Sequence, residues 1–580
     1  MRLRASAFFC LALLACSQTK ITPQSPPAAV AAGPDRGINP EWPYLGKARL
    51  ADAPSAMVVS GNPIASEVGR DILRQGGNAV DAAVAVGMAL AVVHPEAGNL
   101  GGGGFMIIRM RDSMYALDYR EMAPGKASRD MYLALSGDPS DLSLDGALAA
   151  GVPGAVAGMI EAHRRFGKLS LATVIAPAIR LAEQGFVIDE YRSASLDDAW
   201  HQMYNFASSR QVYFPTGRAP LPGTTLVQKD LARTLTAIRD SGWAGFYRGP
   251  VSDLIVAEME RSGGIITHQD LEAYKAIWRD PIKLSYRDYT IYSMPPASSG
   301  GVTLGMILNI MEGYGKLPAF GSAELLHREA EAMRRAFVDR NTYLGDPGFV
   351  RMPLEHLLSK AYADSLRQTT DLQHANPTPK FDPTLRGGSS TTHYSVVDAN
   401  GNAVSCTTTL NNSYGSGLVV TGGGFLLNDE MDDFATAPGK PNMYGLVQGE
   451  ANAIVPGKRM LSAMTPSILL APDGKLFMVV GTPGGPTIIT QVYHVISNVI
   501  DHGMTLGEAI AAPRMHHQGL PDSLRVEKNG FYPATLDQLH MMGHGIQTRT
   551  RWGDVEGIIR TKQGWEGVSD PRWGGGGSGY

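Results

Sequence analysis

The hydrophobic pattern changes period along the chain. Between residues 62 and 93 it is helical. Ile64, Val68 and Ile72 recur every four residues behind Asn62-Pro63, a cap and a first-turn proline, and Gly76-Gly77 ends the run. A second helix is expected over about 78–93. Its uncharged stretch, Ala82 to Val93, is 12 residues long, which fits a buried core helix and is too short to cross a bilayer. Four glycines, 101–104, then precede the strand-like FMIIRM. Residues 150–380 alternate helical and irregular segments, among them Ala297-Ser298-Ser299-Gly300-Gly301 in front of a helix. The stretch 366–390 is polar and loop-like, and an exposed loop is where a chain is usually cut.

After Ser390 the period becomes two. TTHYSVVD and AVSCTTTL read as strands around a turn at Asp398–Asn402. A three-residue loop from Ala399 to Gly401, with Gly401 left-handed, closes them into a hairpin. That register sets Thr391 opposite Thr409, His393 opposite Thr407 and Ser395 opposite Ser405, and a slip of one residue would undo it. Further on, a strand over 475–480 runs into Gly481-Thr482-Pro483-Gly484-Gly485 and then the helical TIITQVYHVISNVID. Strand, Gly-Gly turn and helix N-terminus together point free N–H groups at an anion. Thr505 and Glu508 form a capping box for one more helix.

The N-terminus differs from both regimes. Arg2 and Arg4 precede the apolar run Ala5–Ala15, which has the form of a secretory leader. It ends Leu13-Leu14-Ala15-Cys16, similar to a bacterial lipobox, so Cys16 is the expected lipidation site and first mature residue. Ser17 resembles an outer-membrane address. An ordinary cleaved signal with a chance cysteine is the alternative. The Pro/Ala/Ser-rich stretch that follows reads as a tether. The expected organisation is therefore a signal peptide at 1–15, anchor cysteine and tether at 16–50, and a folded part from Ala51.

Composition narrows the chemistry. At 580 residues the chain can bury a large core, and a net charge of −4 lacks the basic surface of a nucleic-acid binder. Of three cysteines, Cys10 and Cys16 lie in the leader, so the mature chain has no disulfide framework, and without a CxxC pair a structural zinc site is not expected. Cys406 falls mid-strand and reads as an inert thiol. There is no GxSxG elbow. His516-His517 are adjacent and, on a helix, would diverge by about 100°, a poor chelate. Glycines 101–104 lack the spacing of a phosphate loop and read as a close-packing site.

Thr391 is the remaining candidate nucleophile. A threonine that begins a chain can use its own α-amine, of pKa about 8, as general base. That requires cleavage between Ser390 and Thr391, and the small flexible Gly-Gly-Ser-Ser junction suits an N-to-O acyl shift. Thr409 would hold the amine and hydroxyl, and the Gly484 and Gly485 amides would receive the oxyanion. The same residues are equally compatible with a Thr-rich hairpin of solvated hydroxyls.

Longer motifs resolve that choice by resemblance. TTHYSVVDANGNAVSCTTTLNNSYGSGLVVTGGGFLLNDEMDDF (391–434) resembles the small-subunit start of bacterial gamma-glutamyltransferases. So do PEAGNLGGGGFM (95–106), LDYREMAP (117–124), MPPASSGG (294–301), PGKRMLSAMTPSI (456–468) and GTPGGPTIITQV (481–492) at their places in that family. The resemblance implies the N-terminal nucleophile hydrolase fold, an α/β (α+β) four-layer αββα sandwich. It implies one precursor cut into a large subunit ending at 390 and a small subunit 391–580 that stay together as a heterodimer. It implies acyl transfer from glutathione or another γ-glutamyl amide through a γ-glutamyl ester on Thr391, released by water or by an amino acid or peptide acceptor, with no metal or organic cofactor. Arg120 would clamp the substrate α-carboxylate, Asn411, Glu430 and Asp433 the α-ammonium, and Ser462 would lie near the carboxylate. Pro438–Glu450, with Tyr444, resembles a lid loop. One departure stands out: the family usually has two serines before this methionine, and here Ser462 is followed by Ala463. The rival readings are a glutaryl- or cephalosporin-type acylase of the same fold and a non-catalytic periplasmic binding lipoprotein. The expected location is the periplasmic face of the outer membrane through the lipid anchor, or otherwise the periplasm.

Overall fold

Strand residues alternate between two buried environments, and that alternation defines the layers. In a computed structural model, which describes residues 37–134, 136, 140–377, 391–437 and 439–580, Met57 and Val59 point into one core and Val58 into another. Phe105 and Ile107 likewise part from Met106 and Ile108, and Val479 from Met478 and Val480. The shared core of the first residue in each comparison lies between two sheets; the other cores lie under helices. Each such side chain, fully buried, is worth about 1.5–3 kcal/mol. Cys16, Ser390 and Pro438 lie outside the described residues.

The first sheet runs Gly576–Gly579, Met57–Ser60, Thr391–Val397, Ala403–Thr409, Gly103–Met110, Ser113–Tyr119, Ile277–Arg279. The second runs Arg49–Ala53, Trp565–Ser569, Glu556–Arg560, Leu476–Gly481, Ser467–Leu470, Tyr289–Ser293, Ile282–Tyr286. All neighbours in both are antiparallel. Helices Ala79–Val93 and Ala155–Phe166 cover the first sheet, and Gly300–Glu312 and Thr487–Ile500 cover the second. The expected αββα sandwich is therefore present. Among the described residues no helix is long and apolar enough to cross a membrane.

Local sequence explains the elements that carry the site. Asn62 caps Pro63–Arg74, accepting the Ile64 N–H at 2.9 Å. All 15 residues of Ala79–Val93 are buried, and an Asn78/Asp81 capping box starts the helix. Gly401 has φ 74° and closes the turn after Val397, so the hairpin has the expected register. Glycines 101 and 102 are close-packed, as expected: a Cβ would stand 2.0 Å from the Leu426 carbonyl oxygen and 2.1 Å from that of Thr409.

Two expectations are corrected. The tether does not extend to residue 50. Trp42 is buried, donates to the Ala511 carbonyl at 2.7 Å and lies under the Arg572 guanidinium; the Pro-rich composition around it masked an anchoring aromatic. His516 lies on a short strand, Met515–His516, not a helix. Its ring bonds to Thr490 and Gln518, both at 3.0 Å.

Candidate active site

Thr391 opens its strand at the end of the first sheet, and Thr409 ends the neighbouring one. Their hydroxyl oxygens are 3.1 Å apart. The Asn411 N–H donates to Thr409 Oγ1 at 2.8 Å, which fixes that hydroxyl. Period two carries the same face along the hairpin toward the second sheet. Ser395 donates to the Glu556 carbonyl at 3.0 Å and Ser405 to the Val480 carbonyl at 3.1 Å. Between Thr391 and Ser395 stands His393, whose ring fills the space over Gly481; a Cβ there would come within 2.3 Å of it. Burial pushes the His393 imidazole down to about 3, so it is too weak a base for this chemistry, and it serves to join the sheets.

Across the seam, Gly481 leads into the Gly484-Gly485 turn and the helix Thr487–Ile500. Both glycines have positive φ, 140° and 55°. A Cβ on Gly484 would meet Gln491 and Thr487 at 2.5 Å, and one on Gly485 the Tyr444 ring at 2.8 Å. The turn is tied down from behind: Thr487 Oγ1 donates to the Gly484 carbonyl at 2.7 Å, and Gln491 Nε2 to the Pro483 carbonyl at 3.2 Å. The Gly484 and Gly485 amides have no acceptor among the described residues.

One cavity of roughly 320 Å³ opens beside Thr391. Arg120, Thr409, Asn411, Glu430, Asp433, Tyr444, Ser462, Ala463 and Gly485 all line it, so residues singled out in five separate segments converge. Gly484 lies one residue behind the wall. Arg120 follows the strand Ser113–Tyr119 and is buried; its carbonyl accepts from Tyr274 at 2.7 Å. Glu430 and Asp433 sit on the turn Glu430–Asp433. The two poles of the expected clamp touch: Arg120 Nη1 is 2.6 Å from Glu430, and Nη2 is paired with Asp433. Glu430 is close but poorly aligned, and neither of its oxygens has a hydrogen-bond partner among the described residues.

Burial dominates the electrostatics. It drives Glu430 well above the carboxylate range although Arg120 opposes it, and raises Asp433 in the same way. Glu121, behind Arg120, is lifted to about 7. Against its own burial penalty, Arg120 is held above its ordinary value by Glu430 and Asp433. A second guanidinium, Arg340, was not foreseen. It projects from the long helix Ala323–Tyr343, bonds to Ser299 at 3.0 Å and Asn341 at 2.8 Å, and is pulled down to about 10 by burial. It is one of several arginines on that helix, and nothing local marks it.

Tyr444 closes one side. Its hydroxyl donates to Asn411 Oδ1 at 2.8 Å, and Gln518 holds its carbonyl at 3.1 Å. Ser462 Oγ accepts the Met464 N–H at 3.1 Å, while Ala463 presents only a methyl group. Away from the site, His327, Glu331 and His544 converge, but Glu331 is already paired with Arg334 at 3.2 Å and with Arg335.

The αββα sandwich with a threonine at the head of a central strand, facing paired amides across a seam, defines an N-terminal nucleophile hydrolase. The gamma-glutamyltranspeptidase family model matches residues 65–580, and the chain belongs to that family. It is 47% identical over 528 residues to the glutathione hydrolase proenzyme of Escherichia coli, covering 90% of this chain and 91% of that relative. It is 39% identical to the acylase ACY 1 proenzyme of a Pseudomonas species, over 81% of this chain and 84% of the relative. Among solved structures, the cephalosporin acylase of Bacillus halodurans superposes with a TM-score of 0.82 at 27% identity, covering 97% and 99% of the two chains.

Proposed function

We propose that this protein is a gamma-glutamyltransferase that hydrolyses glutathione and related γ-glutamyl amides through an ester on Thr391. The observation that carries the reading is the cavity in which the Thr391 hydroxyl, Gly485 of the Gly-Gly turn and buried charges of both signs meet. A γ-glutamyl group needs all three. Its α-carboxylate replaces Glu430 and Asp433 on Arg120, whose planar fork suits it. Its α-ammonium then takes the vacated oxygens of Glu430 and Asp433 and the Asn411 carbonyl oxygen. The γ-carbonyl is left beside Thr391.

The chain is first cut between Ser390 and Thr391, giving large and small subunits that remain interlocked as a heterodimer. The freed α-amine takes the Thr391 Oγ proton as the oxygen attacks the γ-carbonyl. The Gly484 and Gly485 amides hold the oxyanion. The C–N bond breaks, the proton goes to the leaving amine, and water or an acceptor amine repeats the sequence on the ester. Tyr444, on a lid over the site, excludes water and shapes the entrance. The leader and Cys16 support export and anchoring at the periplasmic face of the outer membrane; a Cys16→Ser chain should then leave the membrane fraction.

The acylase reading has one feature in its favour, Ala463 in the cavity wall, and the acylase relatives share the fold. Asp433 favours the γ-glutamyl reading, because a carboxylate there serves an ammonium. Chromophore release from a γ-glutamyl anilide and its glutaryl analogue decides between them. The γ-glutamyl compound should turn over faster, and Thr391→Ala should lose more than about 10⁴-fold of the rate and stay uncut. Preference for the glutaryl compound would transfer the protein to the acylases.

A further inference from the structure

Buried ionisable side chains also gather outside the Arg120 cavity. Some line a second, wider cavity of roughly 1380 Å³ that Thr391 shares, with Asp554 buried in its wall and the Arg551 guanidinium at its rim, 4.0 Å over the Trp573 ring. Others lie away from Thr391, where the long helix Ala323–Tyr343 packs on the helix Pro533–Met541, and no step of the proposed chemistry uses them.

His327 and Glu331 are four residues apart on the long helix, so they share a face. His544 enters from the turn that follows Pro533–Met541. All three are buried, and one ligand atom from each lies within 4.8 Å of the other two. Among the described residues no other three His, Cys, Asp or Glu side chains come together in this way. The tautomer of His327 follows from its partner. Its Nε2 faces the Asp371 carbonyl oxygen at 2.8 Å, and a carbonyl only accepts, so Nε2 carries the proton. Nδ1 is left with a lone pair toward His544 Nε2, 2.8 Å away. A ring N–H anchored on a backbone carbonyl, with the opposite nitrogen free, is how histidine ligands are oriented. His544 Nδ1 has no hydrogen-bond partner among the described residues, so it can take the proton that Nε2 must give up to bind a cation.

Glu331 is the third donor. Arg334 lies 3.2 Å from its Oε1, the Asn376 N–H donates to the same oxygen at 3.2 Å, and Arg335 donates to Oε2. A carboxylate has about four lone-pair sites, so these partners orient the group and leave a place for a metal. Asp522 pairs with Arg334 at 2.7 Å, so two carboxylates and two guanidiniums balance here before any ion enters.

We infer that His327 Nδ1, His544 Nε2 and a Glu331 oxygen form a site for one divalent metal ion of the zinc type. Two imidazoles and a carboxylate, with a fourth position for water, are a zinc donor set. Metal–nitrogen bonds of about 2.0–2.1 Å put tetrahedral donors about 3.3–3.4 Å apart, so the two ring nitrogens part slightly as the ion enters. The ion takes no part in acyl transfer. His327 and Glu331 precede the proposed cut at Ser390–Thr391 and His544 follows it, so the ion ties the large subunit to the small one; the site itself does not depend on that cut.

The test uses the processed enzyme without a histidine tag, stripped with a chelator and then titrated with cobalt(II) and zinc(II). One equivalent of cobalt should bind with the strong visible absorption of a four-coordinate ion, and zinc should displace it. His327→Ala, and His544→Gln, which keeps an N–H toward His327, should each lose that band and weaken zinc binding about tenfold or more. Zinc should raise the denaturant midpoint for separating the subunits in the unaltered enzyme and not in the variants. Hydrolysis of a γ-glutamyl anilide should stay within twofold in both variants. Thr391→Ala should bind cobalt as the unaltered enzyme does, so failure of the cleavage reading leaves this result standing. No bound cobalt, or a band that survives in His544→Gln, would overturn the inference.

Discussion

The two cavities that meet at Thr391 are built on opposite principles. On the Arg120 side the charges are matched to one another: Arg120 contacts Glu430 and Asp433, and Tyr444 and Asn411 close the wall. On the Asp554 side one oxygen of a buried carboxyl, Asp554 Oδ1, lacks a hydrogen-bond partner among the described residues, and the rim cation is exposed. The tight side suits the one acyl group proposed for it. Contact between opposite charges also explains how a buried cavity tolerates several ionisable groups: removing one member, not the whole set, is what exposes a naked charge.

Breaking the tight side should have the largest effect. Asp433→Ala frees Arg120 from one partner and removes the proposed ammonium ligand, so kcat/KM for a γ-glutamyl anilide should fall by about 10²–10³-fold, with a far smaller fall for the glutaryl analogue. Steady-state kinetics on the two substrates checks this. Gly485→Ala comes next. Its Cβ would stand 2.8 Å from the Tyr444 ring at a backbone φ of 55°, so the turn must shift. If Gly485 is the oxyanion donor proposed, moving it out of line should lower kcat by about 10²-fold with KM little altered.

Ala463→Ser should sharpen the tight side instead. It restores a hydroxyl beside Ser462, and one added hydrogen bond should lower KM by about fivefold for a γ-glutamyl donor. An unchanged KM would mean that this wall does not meet the substrate carboxylate.

Acid should act on both sides alike. His393, beneath the tight cavity, and His94, beside the wide one, are lowered by burial to about 3 and about 4. Unfolded imidazoles bind protons near 6.5, whereas these do not until much lower pH. Their contribution to stability is therefore present above 6.5 and lost as pH falls from there toward 4 and 3. Denaturant midpoints measured from pH 7 to 4.5 should fall, and His393→Gln should flatten part of that slope.

Much of the tight side was legible because its residues sit in dense local motifs. The Thr391–Thr409 pairing followed from turn chemistry at Gly401, since a three-residue loop leaves one register. Arg120, Glu430 and Asp433 followed from resemblance, though not their contact with one another, which depends on how the turn Glu430–Asp433 folds over the end of Ser113–Tyr119. Arg340 and the wide side were not legible. Glu96, Tyr191, Asp554 and Trp573 come from four distant segments with no shared pattern, and only the packing of the sheets assembles them. The glycine-rich C-terminus was equally opaque; it forms the edge strand Gly576–Gly579 against Met57–Ser60.

The most direct test of the central claim is mass spectrometry of the enzyme quenched during turnover of a γ-glutamyl anilide. Two fragments should be present, the smaller beginning at Thr391 and carrying one γ-glutamyl group on that residue, and Thr391→Ala should give a single unmodified chain. An intact chain that still turns over, or a γ-glutamyl group on any other residue, would contradict it.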